Sequence, residues 1–304
     1  MTRKPSDPGA SAQARLRNVA IARGTDVQVV LEQFALERLL WRLHQSAHGD
    51  RFVLKGAMLF AVWTGIPHRA TRDLDLLGMG PNEDSHILSV FQDVCATVVA
   101  PDGAEFFADT LTVRRIRDDQ EYEGRRVTLT AAVGKARLDL QVDIGFGDAI
   151  HPAPARLLYP TLLDHESPSL LTYPRETVVA EKLEVIVSLG LLNSRMKDYF
   201  DIRHLSETFA FDRSTLTEAI RRTFERRETN VPTDLPRGLS NAFHLPADKQ
   251  AQWRGFLKRI GIAQDSSLES AVTAVREFVW PALTPSEDPR LTQWPPGGPW
   301  SKTG

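Results

Sequence analysis

Cysteine is nearly absent: Cys95 alone among 304 residues excludes an internal disulfide and a cysteine-rich zinc module, and sets the expectation of a reducing, cytoplasmic location. An excess of charge of either sign is absent too. With 37 Lys plus Arg against 39 Asp plus Glu, the formal net charge is -2, so no long-range basic field draws nucleic acid to the whole molecule, and any such site has to be a local patch. No run reaches the roughly 18 uninterrupted apolar residues of a membrane span. The opening segment from Met1 to Arg15 is basic without an apolar centre, so neither an anchor nor an export signal is expected. The eight histidines show no metal-ligand spacing. What is present is a chain of 42% hydrophobic residues, long enough to bury one large core or two ordinary ones.

Small, polar and Pro-containing residues 1–12, and Pro/Gly-rich residues 285–304, predict poorly ordered ends. Between them, Thr25 and Gln28 form a capping-box pattern, and Val29, Leu36, Leu40 and Leu43 repeat at helical spacing. A second helix is predicted from about Asn82 to Cys95, with Ile87, Phe91 and Val94 on one side. Residues 105–146 alternate as strands do, with Gly134-Lys135 placed as a hairpin turn. Helical periodicity returns at 176–190, 214–228, 247–261 and 267–279. The reading is an α+β lobe over 13–150 and a helical lobe over 151–284.

The chemistry concentrates around a turn, a helix and a strand. Gly56-Ala57 opens an apolar helical run, and Arg69-Ala70-Thr71-Arg72-Asp73-Leu74-Asp75-Leu76 follows as a strand in which Thr71, Asp73 and Asp75 share one face while Leu74 and Leu76 enter the core. Two carboxylates on one face repel unless a cation lies between them, and Mg²⁺ takes such oxygen ligands together with substrate phosphates. Asp143, flanked by Val142 and Ile144, offers a third carboxylate on a neighbouring strand, with Asp139 as its competitor. That set suits two-metal phosphoryl transfer, with backbone amides at the Gly56-Ala57 turn able to approach phosphates. Lys182 is a lone ammonium in an apolar helix, either snorkelling or held for a reason. Arg195, Lys197, Asp198 and Asp201 form either a functional group or a local salt-bridge cluster after a helix end at Gly190. Arg221, Arg222, Arg226 and Arg227 form either a local RNA-binding face or a solvated one paired with Glu218, Glu225 and Glu228.

Taken in order, these pieces resemble the AbiEii/AbiGii toxins of the nucleotidyltransferase superfamily, which include the MenT toxins. The matching residues are Phe52-Val53-Leu54-Lys55-Gly56-Ala57, Arg69-x-Thr71-x-Asp73-x-Asp75, Asp143-Ile144-Gly145-Phe146-Gly147-Asp148, Glu181-Lys182-Leu183, Arg195 and Lys197-Asp198-x-x-Asp201. The resemblance implies a polymerase beta-like mixed sheet with flanking helices. It implies Asp73, Asp75 and Asp143 as metal ligands, Lys182 as a phosphate contact, and Asp198, with Asp201 as the alternative, as a further essential acid. Lys55, Gly56, Ala57, Arg69 and Thr71 are implied as nucleotide contacts; Ala57 stands where the superfamily commonly carries Ser or Gly. The implied activity is Mg²⁺- or Mn²⁺-dependent transfer of a nucleoside monophosphate from an NTP to an acceptor, with tRNA suggested, by a toxin that has a cognate antitoxin. The alternatives are a small-molecule or protein acceptor, and a degenerate fold acting as a binding partner.

Overall fold

The computed structural model describes residues 7–66, 69, 71, 73–116, 124–261, 266–284 and 288–302. Of the residues read from sequence, 1–6, His68, Ala70, Arg72, 117–123 within the alternating stretch, 285–287 and 303–304 lie outside the described residues. The chain divides into two compact units, Met1–Gly147 with Ala155–Tyr173, and Asp148–Pro154 with Pro174–Gly304.

In the first unit, α1 (Pro8–Arg23) starts at Asp7, whose carboxylate accepts from the amides of Gly9 and Ala10, with Pro8 at the first helical position. Residues 8–12, expected to be loose, are therefore helical. Next, α2 (Val27–Gln45) is capped by Asp26 and not by Thr25: the Asp26 carboxylate accepts from the amide of Gln28 at 2.7 Å, and Thr25 precedes the cap. The remaining elements are β1 (Phe52–Lys55), α3 (Leu59–Thr64), β2 (Asp73–Gly78), α4 (Asp84–Ala96), β3 (Ala104–Ile116), β4 (Gly124–Val133), β5 (Ala136–Phe146), β6 (Ala155–Leu158) and β7 (Ser169–Thr172). Among the described residues the strands form one mixed sheet in the order β3-β4-β5-β2-β1-β7-β6. The pairs β2/β5 and β1/β7 run parallel. Gly134, with φ +59°, turns the β4–β5 hairpin at the expected place. Residues 155–173, expected in the helical lobe, instead add two strands to the sheet. Four-residue strands among prolines are too short to show a period.

The middle of α2 is buried on more than one side and carries Glu37, Arg38 and Arg42 inward. Arg42 forks onto the buried Asp102 at 2.8 and 3.1 Å. Glu37 accepts the Leu162 amide at 2.7 Å and lies 3.0 Å from the Arg38 guanidinium.

The second unit holds α5 (Arg175–Leu189), α6 (Met196–Thr208), α7 (Arg213–Arg226), α8 (Asn241–His244), α9 (Ala247–Ile260) and α10 (Leu268–Leu283), with a small sheet of β8 (Phe211–Asp212), β9 (Leu291–Trp294) and β10 (Ser301–Lys302). The Pro/Gly-rich tail expected to be loose is packed over residues 288–302. Trp294 and Trp300 are buried against Phe278 with ring centroids 5.0 and 6.1 Å away, and their indole N–H groups donate to the carbonyls of Ser206 and Phe278. Two buried indoles supply enough apolar area to order a segment whose backbone composition favours disorder.

Burial pushes the Glu37 carboxyl up to about 7, against the pull of Arg38 and the Leu162 amide and with a small push from Asp102. A carboxyl raised in the folded state contributes stability below its unfolded value of 4.5 that is lost as pH rises through 7. Glu37→Gln is therefore expected to flatten the decline of wild-type stability between those two pH values, a term of at most about 3 kcal/mol. Urea melts across that range check it; parallel wild-type and Glu37→Gln profiles would refute the assignment.

Candidate active site

Alternation along β2 buries Leu74 and Leu76 and leaves Asp73 exposed and Asp75 half-buried on the other face. Strand register then assembles a row of charge on that face. Asp75 lies opposite Lys55 on β1 and opposite Asp143 on β5, Asp143 lies opposite Arg126 on β4, and Arg126 lies opposite Arg114 on β3. The next row carries Asp73, Gln141, Thr128 and Thr112. Asp139, the competitor for the third carboxylate, falls beyond the paired length of β2 and accepts from the Thr130 hydroxyl at 3.3 Å. Register thus selects Asp143 as the neighbour of Asp75.

Asp143 is nevertheless engaged. Arg126 donates through Nε to Oδ1 at 2.8 Å and through Nη2 to Oδ2 at 2.8 Å, and Gln141 Nε2 donates to Oδ2 at 3.2 Å. Among the described residues no group of three or more His, Cys, Asp or Glu side chains is gathered as a ready metal site. The expected trio of Asp73, Asp75 and Asp143 is adjacent by register, with its third member held by a guanidinium. Arg126 was missed in the sequence, although counting back from the Gly134-Lys135 turn puts it opposite Asp143.

Gly56 has φ +73°, and a Cβ built there would fall 1.9 Å from Asp75 Oδ2. Its missing side chain is thus room for a carboxylate as well as freedom for a turn. Two carboxylates two residues apart on one strand face are the hard oxygen donors that a divalent cation completed by water or phosphate oxygens takes. The Lys55 ammonium stands 5.1 Å from the Tyr173 ring centre. Ala57, Arg69 and Thr71 line one solvent-open cleft, together with Met58, Glu37 and Tyr159. Thr71, expected on the strand, precedes it, and its hydroxyl donates to the Asp73 carbonyl at 3.3 Å.

In the second unit, Lys182 on α5 donates to Asp198 Oδ1 at 2.8 Å and lies 2.9 Å from Asp201 Oδ2, while Arg195 Nε donates to Asp198 Oδ2 at 2.7 Å. Both carboxylates are fully buried, three residues apart on α6, a helix the sequence reading did not find. Burial alone would raise the Asp198 carboxyl, but Lys182 and then Arg195 and Lys197 hold it below the usual carboxylate range. The lone ammonium of the apolar helix therefore has its reason: it neutralises two buried acids. Arg227, expected on an exposed basic face, is buried instead, 2.8 Å from Glu184 with Glu181 and Asp148 at 3.7 and 3.8 Å. Arg221 pairs with Glu218 and Glu225, and Arg222 with Glu218, as on a solvated face.

A family model described as nucleotidyl transferase AbiEii toxin, type IV toxin–antitoxin system, matches residues 38–278. Two solved structures align with most of the chain. One is from H. pylori, described as a candidate nucleotidyltransferase, at 13% identity, covering 82% of this chain and 92% of that one with a TM-score of 0.48. The other is JHP933 from Helicobacter pylori, at 14% identity, covering 82% and 89% with a TM-score of 0.49. No curated protein matches the chain.

Gly56→Ala is expected to lower stability by about 1–2 kcal/mol through its left-handed backbone and to displace the Asp75 carboxylate. A melt and a crystal structure superimposable on wild type would show that the site tolerates a Cβ. Lys182→Met leaves Asp198 and Asp201 without their shared counter-ion, so chemical denaturation should report a loss of about 3–5 kcal/mol, with Lys182→Arg retaining part of it. Unchanged stability in Lys182→Met would remove the structural role.

Proposed function

The chain belongs to the AbiEii nucleotidyl transferase toxin family, and from that premise we propose that this nucleotidyltransferase moves a nucleoside monophosphate from an NTP to tRNA through a divalent-cation site at Asp73 and Asp75. The observation that carries the reading is the placement of these two carboxylates on one strand face, with Gly56 making room for the Asp75 carboxylate. In the proposed reaction an acceptor hydroxyl loses its proton, its oxygen bonds to the α-phosphorus, and the bond to the leaving pyrophosphate breaks. A bound Mg²⁺ or Mn²⁺ would neutralise the triphosphate and the departing pyrophosphate.

The protein's own groups divide the remaining work. Asp73 and Asp75 supply hard oxygen ligands, and Asp143 is the third carboxylate of the set. Lys55 stands beside Asp75 in register, where its ammonium can meet phosphate. Ala57, Arg69 and Thr71 line the cleft assigned to the nucleotide, Ala57 offering only backbone. Lys182 is assigned a phosphate contact and Asp198 its positioning, because a lysine held between Asp198 and Asp201 has little rotamer freedom left to lose on binding. RNA as acceptor, a toxin's role and a cognate antitoxin follow from the family. No helix among the described residues is long and apolar enough to cross a membrane. Action on cytoplasmic RNA is part of the proposal.

Incubation with each labelled NTP, Mg²⁺ and total RNA should label RNA, and expression without a partner antitoxin should stop bacterial growth. Asp73→Asn and Asp75→Asn keep side-chain size, remove the charge that holds the cation, and are expected to lower transfer by several orders of magnitude while remaining folded. Growth arrest should disappear with the label. Label on a small molecule or protein, with none on RNA, would move the acceptor class, and a soluble Asp73→Asn protein that still arrests growth would reject the enzymatic reading.

A further inference from the structure

The row Arg114, Arg126, Asp143, Asp75 and Lys55 places two cations and a carboxylate pair in consecutive register positions. Within it, both oxygens of Asp143 are taken by one guanidinium, at 2.8 Å each, with Gln141 adding a third donor at 3.2 Å. A bidentate arginine fork is among the strong contacts of a side-chain carboxylate; it takes a lone-pair site on each oxygen, and its positive charge opposes a cation at the sites that remain. The same fork fits phosphate equally well. The Arg126 side chain is 42% exposed, so it has room to turn toward an incoming ligand, whereas the Asp143 side chain is 20% exposed and stays on the strand.

We propose that Arg126 gates the third carboxylate: it holds Asp143 while no nucleotide is bound, and passes to the triphosphate when an NTP arrives, freeing Asp143 for the cation. The inference rests on the assignment of Asp73 and Asp75 as the cation site. Its consequence is coupling. Metal and nucleotide each favour the state in which Arg126 has left Asp143, so each binds more tightly in the presence of the other, by equal factors. Arg126 acts here as a positioning residue, and the carboxylates need no movement of the strands to change partners. Without nucleotide, the guanidinium also relieves the repulsion between Asp143 and Asp75.

The test uses the full chain and Mn²⁺ as the probe, followed by electron paramagnetic resonance and calorimetry, with each of the four α,β-methylene NTPs added in turn. Wild type should bind Mn²⁺ more tightly once the accepted analogue is present. Arg126→Ala should bind Mn²⁺ about three- to tenfold more tightly than wild type without nucleotide, the scale of one partly exposed ion pair, and gain less than wild type from the analogue, by that same factor. Arg126→Lys, which keeps the charge but not the fork, should fall between them, and adding Asp143→Asn to Arg126→Ala should abolish the gain. Thermal melts establish that each variant is folded. If Asp73→Asn abolishes Mn²⁺ binding while Arg126→Ala binds it no more tightly than wild type, the gate is wrong and the cation site stands. If Mn²⁺ binding is indifferent to Asp73 and Asp75, the site assignment fails and the gate falls with it.

Discussion

Parallel pairing of β2 with β5 sets Asp75 directly opposite Asp143, and much of what surrounds that row answers the repulsion this creates. Lys55 stands on one side and Arg126 on the other, each fixed by register and not by a flexible loop. Leu74, Leu76, Val142 and Ile144 point the opposite way into the core, so neither strand can slip by one residue without burying carboxylates and exposing leucines. Hydrophobic burial on one face therefore enforces an arrangement on the other that electrostatics alone would oppose. A functional site built at the expense of local stability is the expected result.

Elsewhere the chain resolves buried charge by pairing. Arg42 meets Asp102 with two hydrogen bonds, Lys182 serves two fully buried aspartates, and Arg227 meets Glu184 at 2.8 Å. Such pairs contribute little net stability relative to apolar substitutes, yet removing one partner is costly because the other remains buried and charged. This bears on how the acids of α6 are interpreted. Activity lost on substituting Asp198, Asp201 or Lys182 mixes chemistry with folding, whereas Asp73 is exposed on its strand and reports on the site more directly.

The four arginines of the 214–228 segment illustrate why a basic sequence run is a weak signal. Arg221 and Arg222 meet glutamates on their own helix, a pairing already visible at three- and four-residue spacing. Arg227 meets Asp148 and Glu184, residues far away in sequence, and no local pattern could have announced it.

Period-two alternation marked β4, β5 and the shared face of Asp73 and Asp75, period 3.6 marked α2, α4, α5, α7, α9 and α10, and Gly134 marked its own turn, because each of these depends on neighbours within a few residues. The ordered motifs from Lys55 to Asp201 marked the family. Tertiary structure alone decided that residues 155–173 belong to the sheet and that two tryptophans order the tail. It alone decided that Gly56 makes room for Asp75, that Lys182 lies between two buried acids, and that Arg126 holds the third carboxylate. Each of those outcomes depends on which distant side chain shares a low-dielectric or crowded space, and chain-local spacing carries no information about that.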